Sequence, residues 1–192
     1  ILKGDMTKQE DVAALVKKTI SHYGNEIHGL VNISGGLVQR KKIDEMDENF
    51  LNKVVQLNFN STFLATQQVL PYMTSGSSIV NFASQAGRDG GGPGASAYAA
   101  SKGAVITFTR SMAKELGQQG IRVNSLCPGM ITTAFHDTFT KDEVRSNVAN
   151  ATPLKREGRP DEMATTVSFL LSDESSFLTG VNLDTNGGLV FS

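Results

Sequence analysis

The sequence of 192 residues has no tryptophan, one cysteine and no long uninterrupted apolar run. A single cysteine excludes an internal disulfide framework, and Cys127, next to Pro128, is interpreted as a small buried apolar residue. Neither a membrane-spanning pattern nor a basic-then-apolar leader is visible. We therefore expect a protein of a reducing compartment, cytoplasmic and without a membrane partner.

A strong charge of either sign is also missing. Eighteen Lys and Arg residues face nineteen Asp and Glu residues, for a formal net charge of −1. This balance argues against nucleic acid or an anionic membrane surface as a partner. The three histidines, His22, His28 and His136, lack the spacing of metal ligands, so no metal site is expected.

Short β-branched runs alternate with longer amphipathic segments along the chain. This alternation, with fully apolar runs, predicts an α/β fold in which helices cover both faces of a parallel sheet. Thr7 and Glu10 stand in capping-box register at the first helix, and residues 135–159 are polar and weakly patterned, as in a mobile flap. Strands are predicted at 27–33, 77–84, 121–129 and 180–185, and helices at 7–24, 48–73, 97–117 and 159–172.

The stretch "SAYAASKGAV" sets Tyr98 and Lys102 four residues apart. On a helix these side chains share one face, with Ser96 expected as the helix cap. A phenol loses its proton near pH 10, and a neighbouring ammonium group is expected to lower the pKa of Tyr98. Taken alone, the pair also fits an ordinary surface helix, so other segments must decide.

Six short segments follow one another along the chain: "LVNISGG" (30–36), "QLNFNSTF" (56–63), "IVNFASQAG" (79–87), "YAASK" (98–102), "RVNSLCPGMITT" (122–133) and "TGVNLDTNGG" (179–188). In this order they resemble the classical short-chain dehydrogenase/reductase family. The last segment and the stretch "SKGAV…A.EL…GIRVN" (101–124) look closest to its 3-oxoacyl-acyl-carrier-protein reductase branch. The resemblance implies a three-layer, doubly wound, Rossmann-like domain over residues 1–192. It also implies an NAD(P)-dependent oxidoreductase that interconverts a ketone or aldehyde and an alcohol.

Departures from the family pattern matter as well. Ile33 replaces the second Asn of the NNAG pattern, so the sheet-bracing role of that side chain is expected to be absent. Asn186 stands where the family has Asp, and one extra residue between Ser84 and Tyr98 is placed in the glycine-rich loop 87–94.

The largest departure is at the front of the sequence. "ILKGDM" already resembles the third strand of the fold, ending at Asp5, and no glycine-rich TGxxxGxG loop comes before it. We expect roughly fifty further residues ahead of Ile1, one βαβ unit and a helix. The residue that selects NAD or NADP would lie there, so the choice of cofactor stays open.

The resemblance also implies roles for individual residues. Tyr98 would donate the proton, Ser84 would hydrogen-bond the carbonyl oxygen, Lys102 would lower the Tyr98 pKa and hold the nicotinamide ribose, and Asn58 would hold a water that links Lys102 to solvent. The cofactor contacts implied are Asp5, Met6, Asn32, Ser34, Gly35, Tyr98, Lys102, Pro128, Gly129, Ile131 and Thr133. The substrate contacts implied are Ser84, Gln85, Arg88, Tyr98 and His136.

Substrate and assembly are interpreted from less specific features. A rim with Arg40 and Arg88 favours an oxygenated or anionic small molecule, either an acyl-carrier thioester or, as the alternative, a keto-sugar or keto-uronate. A catalytically silent nucleotide-binding scaffold is the alternative of another class.

A homotetramer or homodimer is expected through the helices near 50–70 and 97–116, with Phe63, Val69 and Phe108 on their outer faces.

Overall fold

A computed structural model describes residues 1–191 and contains one parallel sheet of four strands. The strands lie in the order β1-β2-β3-β4, with Asn32 opposite Asn81 and Cys127 opposite Asp184. All four predicted strands are confirmed, each shorter than its apolar run. They are β1 (Gly29–Asn32), β2 (Ser78–Phe82), β3 (Arg122–Pro128) and β4 (Asn182–Thr185).

Eight α-helices connect and cover these strands in the described part of the chain. The long helix predicted over 48–73 is interrupted by a π-helical turn, Gln56–Asn60, and ends in a 3-10 turn, Leu70–Tyr72. The helices are α1 (Gln9–Tyr23), α2 (Glu48–Val55), α3 (Ser61–Val69), α4 (Ala86–Asp89), α5 (Ser96–Leu116), α6 (Ala134–Phe139), α7 (Asp142–Ala151) and α8 (Pro160–Leu171).

The sheet buries a different set of apolar side chains on each face. Ile79 and Val123 pack with side chains of α1, α3 and α5, whereas Val80 and Leu126 pack on Leu170 of α8. Alternate residues of a strand point to opposite faces, which gives the β-branched runs their two partners. The predicted three-layer, Rossmann-like α/β fold is confirmed.

The ends of the helices correct two expectations. Helix α1 follows Lys8 without a side-chain cap, and Thr7 instead donates its hydroxyl to the Asp5 carboxylate at 2.7 Å. Ser96 is the first residue of α5 rather than its cap. Gly24, at φ 100°, ends α1 as predicted, because glycine adopts positive φ without steric cost.

The segment Ile1–Gly4, which resembles the third strand of the family fold, forms no strand in the described structure. These residues are exposed, and the described sheet ends at β1. A strand depends on hydrogen bonds to a neighbouring strand, and none of the described strands lies beside this segment. No helix within residues 1–191 is long and apolar enough to span a membrane.

Candidate active site

The polar residues predicted at the strand ends meet at one edge of the sheet. Asn32 ends β1, Ser84 follows β2 and Pro128 ends β3. Parallel strands place their carboxyl ends on the same side, where such folds bind ligands. Helix α5 brings Tyr98 and Lys102 to this edge, with the Lys102 Nζ atom 6.0 Å from the centroid of the Tyr98 ring. The shared helix face predicted from their spacing is confirmed.

Tyr98 is half-buried between Ser84 and the segment after β3. Its phenol makes a hydrogen bond with the Ser84 side chain. The Ser84 Oγ atom also accepts the backbone N–H of Ala86 at 3.1 Å, which fixes its direction. The ring of Phe135 lies 5.9 Å from that of Tyr98, a contact that the sequence analysis missed.

The pKa of Tyr98 is a correction to the sequence-based expectation. Burial raises the pKa of the phenol above its ordinary value of 10.0, and the hydrogen bond from Ser84 opposes only part of that rise. The Lys102 ammonium points elsewhere, since its Nζ donates to the carbonyl of Phe82 at 2.6 Å. Tyr98 is therefore a protonated phenol at neutral pH, ready to donate.

Lys102 is itself buried, with 4% of its surface exposed. Burial lowers its pKa to about 8, and the nearby Cys127 opposes the shift. Gly35 makes room for it, because a Cβ on Gly35 would stand 2.9 Å from Nζ and 2.7 Å from the Asn58 Oδ1 atom.

Asn58 is fully buried in the π-helical turn. Its Nδ2 donates to the carbonyls of Gly36 and Val54 at 2.8 and 2.9 Å, and its Oδ1 accepts the Gly36 N–H at 2.9 Å. These bonds clamp the loop after β1, whereas the expected role of Asn58 was to link Lys102 to solvent. π-Helical turns within α-helices occur often at functional sites.

Asn32 braces the sheet, although Ile33 beside it lacks the polar side chain of the family pattern. Its Nδ2 donates to the Asn81 side chain at 2.8 Å and to Thr66 at 3.3 Å, and Asn81 donates to Thr109 at 3.0 Å. Buried polar groups need such partners. Ile33 is 63% exposed and takes no part in this hydrogen-bond network. Sequence reasoning missed Asn81, Thr66 and Thr109, although all three lie within or beside the motifs it used.

The remaining predicted cofactor contacts line the same edge or its flank. Gly129 packs tightly, since its Cβ would stand 2.8 Å from the Cβ of Asn186, and Thr133 donates to the carbonyl of Ile131 at 3.2 Å. Met6 and Ser34 line an apolar groove between α1, β1 and α3. Asp5 is exposed and accepts the N–H and hydroxyl of Thr7, as a turn-capping residue does.

The residues present fit a nicotinamide cofactor. A buried lysine and the protonated phenol meet at the sheet edge, where Gly35 lets the Lys102 ammonium and the Asn58 side chain pack against its backbone. Pro128 ends β3 at the same edge, and Gly129, Ile131 and Thr133 follow it in the chain. A side chain at position 35 would collide with Lys102 and Asn58.

Three of the predicted substrate contacts, Arg88, Gln85 and His136, bond to other residues of the protein. Arg88 does not lie on the pocket rim: its Nε is 2.7 Å from Asp184 and its side chain is 15% exposed, so that prediction is wrong. Gln85 donates its Nε2 to Asp89 at 2.9 Å. His136 shares a hydrogen bond with Thr140 at 3.0 Å, and burial lowers the pKa of its imidazole.

The polar segment 135–159 folds into α6 and α7. Arg145 joins the two halves of this flap, 2.6 Å from both Asp137 and Glu157. Glu157 also accepts the Thr132 hydroxyl at 2.8 Å, which ties the flap to the end of β3. Hydrogen bonds from Arg145 lower the pKa of Glu157 to about 2.

Comparisons with known proteins agree with this arrangement. Residues 1–190 match a family model described as enoyl-(acyl carrier protein) reductase. The chain is 38% identical over 188 residues to the 3-oxoacyl-(acyl-carrier-protein) reductase FabG of Thermotoga maritima, covering 97% of this chain and 75% of that protein.

Two solved structures are also similar. One is a short-chain dehydrogenase/reductase, glucose/ribitol dehydrogenase, from Brucella melitensis, with a TM-score of 0.93 and 31% identity. The other is the NADH-dependent reductase A1-R′ responsible for alginate metabolism, with a TM-score of 0.89 and 30% identity. Each comparison covers 100% of this chain and 76% of the other. The chain belongs to the classical short-chain dehydrogenase/reductase family of NAD(P)-dependent oxidoreductases, near its 3-oxoacyl-acyl-carrier-protein reductase branch.

Proposed function

We propose that Ser84, Tyr98 and Lys102 reduce a carbonyl group to an alcohol. The observation that carries this proposal is the meeting of Ser84, Tyr98 and Lys102 at the carboxyl edge of the sheet. Burial there raises the pKa of the Tyr98 phenol, which keeps it protonated at neutral pH. NAD or NADP, when bound, supplies or accepts the hydride.

The chain's own groups handle the oxygen and the proton. Negative charge develops on the carbonyl oxygen as the hydride arrives, and the Ser84 hydroxyl stabilises it by hydrogen bonding. The Tyr98 hydroxyl gives its proton to that oxygen as general acid. Lys102, whose ammonium packs against Gly35, would hold the nicotinamide ribose.

Two further groups keep this arrangement in place. Asn58 clamps Gly36, so the loop that would lie against the cofactor is fixed by a buried amide. The Phe135 ring, 5.9 Å from that of Tyr98, reduces the exposure of Tyr98 to water. A drier site strengthens the hydrogen bonds to the developing charge.

We infer that the substrate is a 3-oxoacyl thioester rather than a free keto acid. The case for an anionic substrate depended on Arg40 and Arg88, and both are engaged within the protein. Arg88 pairs with Asp184, and Arg40 donates to the carbonyls of Pro93 and Phe139. The similarity to the 3-oxoacyl-(acyl-carrier-protein) reductase of Thermotoga maritima supports the thioester. The similarity to a reductase responsible for alginate metabolism is the reason to keep a keto-uronate as the alternative.

The test follows NADH and NADPH absorbance with acetoacetyl thioester, crotonyl thioester and an open-chain keto-uronate. The ketothioester is expected to be consumed fastest. Tyr98→Phe should lower kcat by about 10²–10⁴-fold, and Ser84→Ala by about 10–10³-fold. Tyr23→Phe, at an exposed position of α1, is the matched control.

Other outcomes contradict parts of this proposal. Consumption of the crotonyl thioester alone would replace carbonyl reduction by enoyl reduction, and preference for the uronate would overturn the substrate class. Cofactor binding without turnover of any carbonyl compound would establish the silent scaffold instead.

We infer a cytoplasmic location, because the free thiol of buried Cys127 fits a reducing compartment. We further infer a homodimer or homotetramer that packs α3 and α5 against a second copy. Phe63 is 40% exposed and clusters with Phe108, whose ring centroid is 6.2 Å away. Val69 was expected on this face but is buried in the core. Light scattering of Phe63→Lys should show a smaller particle than the unsubstituted protein, and an unchanged mass would contradict the interface.

A further inference from the structure

Arg88 lies in a buried ion pair that connects three elements. Its Nε is 2.7 Å from the Asp184 carboxylate, and the two side chains are 15% and 13% exposed. Its Nη2 donates to the carbonyl of Asn182 on β4. Burial raises the pKa of the Cys127 thiol on β3, and a hydrogen bond from Arg88 opposes that rise. The guanidinium therefore joins α4 to β3 and β4.

A pair of this kind is a poor source of stability. Removing two charges from water costs about as much as their attraction returns, so apolar replacements of both partners are often equally stable. Hydrogen bonding here is also incomplete. Within residues 1–191, the buried Gln85 Oε1 and Thr185 Oγ1 atoms have no hydrogen-bond partner. Arg88 Nε and Asp184 Oδ1 are 2.7 Å apart but do not meet at a hydrogen-bonding angle. The pair is better explained by the geometry that it fixes.

The geometry in question is that of Ser84, one helical turn before Arg88. The carbonyl of Ser84 accepts the N–H of Gly87 at 3.0 Å, and its hydroxyl accepts that of Ala86. Both bonds join Ser84 to the first residues of α4, the helix that carries Arg88. A shift of Arg88 that moves α4 would therefore also move Ser84.

The other side of the short helix α4 is already fixed. Gly87 lies against the backbone of α5, where an added Cβ would stand 2.8 Å from the Lys102 carbonyl carbon and the Gly103 nitrogen. The contact with α5 and the ion pair with β4 thus hold α4 from two directions.

We propose that Arg88 is a positioning residue: its ion pair with Asp184 holds α4 against β4 and so fixes Ser84 relative to Tyr98. This inference rests on the role proposed above for Ser84. Arg88 acts through Ser84 and contacts neither substrate nor cofactor.

The test uses the intact protein and removes both charges together, as Arg88→Met with Asp184→Leu, so that neither is left unpaired. We expect kcat for carbonyl reduction to fall by about 10-fold or more, with the KM for the dinucleotide and the Tm near their original values. In a Ser84→Ala background, the same pair of substitutions should change kcat by less than about twofold, since no hydroxyl is left to misplace. Lys18→Met, at an exposed cation of α1, is the control.

The outcomes separate this inference from the proposed function. An unchanged kcat for Ser84→Ala alone would overturn the role of Ser84. If Ser84→Ala is impaired but the double substitution is not, or if it costs the same in both backgrounds, only the positioning role fails. If the double variant does not fold, Arg88→Lys tests the positioning role instead. Lysine keeps the positive charge but lacks the planar guanidinium that contacts both Asp184 and Asn182. We expect the kcat of Arg88→Lys to fall by about threefold or more at an unchanged Tm, and a full kcat would overturn the role.

Discussion

Lys102 carries its positive charge in a buried position. Its burial lowers the lysine pKa from 10.5 to about 8, so the charged form is less favourable in the folded protein than in the unfolded chain. The unfolded state then binds more protons between those two values, and stability rises with pH from about 8 to 10.5. Below pH 8 the full cost of the buried charge is present.

Lys102→Met is therefore expected to raise the free energy of unfolding at pH 7 by about 1–3 kcal/mol while it removes carbonyl reduction. Urea unfolding at pH 7 and pH 10 measures this gain, which should shrink at the higher pH. A loss of stability at pH 7 would show that the bond to the Phe82 carbonyl outweighs the desolvation of the ammonium.

The two titrating groups also predict the pH dependence of activity. Tyr98 keeps its proton well above neutral pH, so it does not limit the reduction there, whereas Lys102 loses its charge near pH 8. The kcat/KM for reduction should be level from pH 6 to 7.5 and then fall with an apparent pKa of about 8. In Lys102→Arg, where the charge persists, this fall should move to higher pH. If kcat/KM of Lys102→Arg still falls near pH 8, a group other than Lys102 causes the fall.

At the scale of elements, the distance between α4 and α5 sets the distance between Ser84 and the Tyr98–Lys102 pair. Gly87 permits this approach, because any Cβ there would meet the backbone of α5 at 2.8 Å. Backbone atoms of a helix cannot move aside as a flexible side chain can.

Gly87→Ala is expected to push α4 away, lowering kcat by about 10-fold or more and stability by about 1–3 kcal/mol. Gly117→Ala is the control, since its Cβ would meet no atom within 4 Å. Steady-state kinetics and thermal unfolding of both variants check the prediction, and equal behaviour would contradict it.

At the scale of the whole molecule, an ion pair holds the segment 135–159 together, and a hydrogen bond ties it to the residues after β3. Glu157 bonds to Arg145 and to Thr132, and its folded pKa of about 2 lies below its ordinary 4.5. Such a group contributes stability that is fully present above pH 4.5 and is lost as the pH falls toward 2.

Glu157→Gln should therefore cost about 1–3 kcal/mol of unfolding free energy at pH 7, less at pH 3.5, and should raise the KM for the carbonyl substrate. Glu143→Gln on α7, at an exposed carboxylate, is the control. Chemical denaturation at the two pH values measures the difference, and a penalty that does not depend on pH would exclude the ion pair as its cause.

The sequence by itself determined the strands and the helix that carries Tyr98 and Lys102. Four β-branched runs became four parallel strands, and the spacing of Tyr98 and Lys102 placed both on one helix face, because these patterns depend on local periodicity. It also identified the family, since six motifs in order are carried by the chain itself.

Tertiary structure decided what those side chains touch. Arg88 pairs with Asp184 instead of lining the expected pocket rim, and Asn58 donates a hydrogen bond to the carbonyl of Gly36. The pKa of Tyr98 is raised by burial although Lys102 lies nearby. Hydrogen-bond partners and desolvation depend on residues far away in the sequence, such as the 94 positions that separate Arg88 from its acceptor on β4. A local pattern carries no record of such contacts, so only the folded chain could assign them.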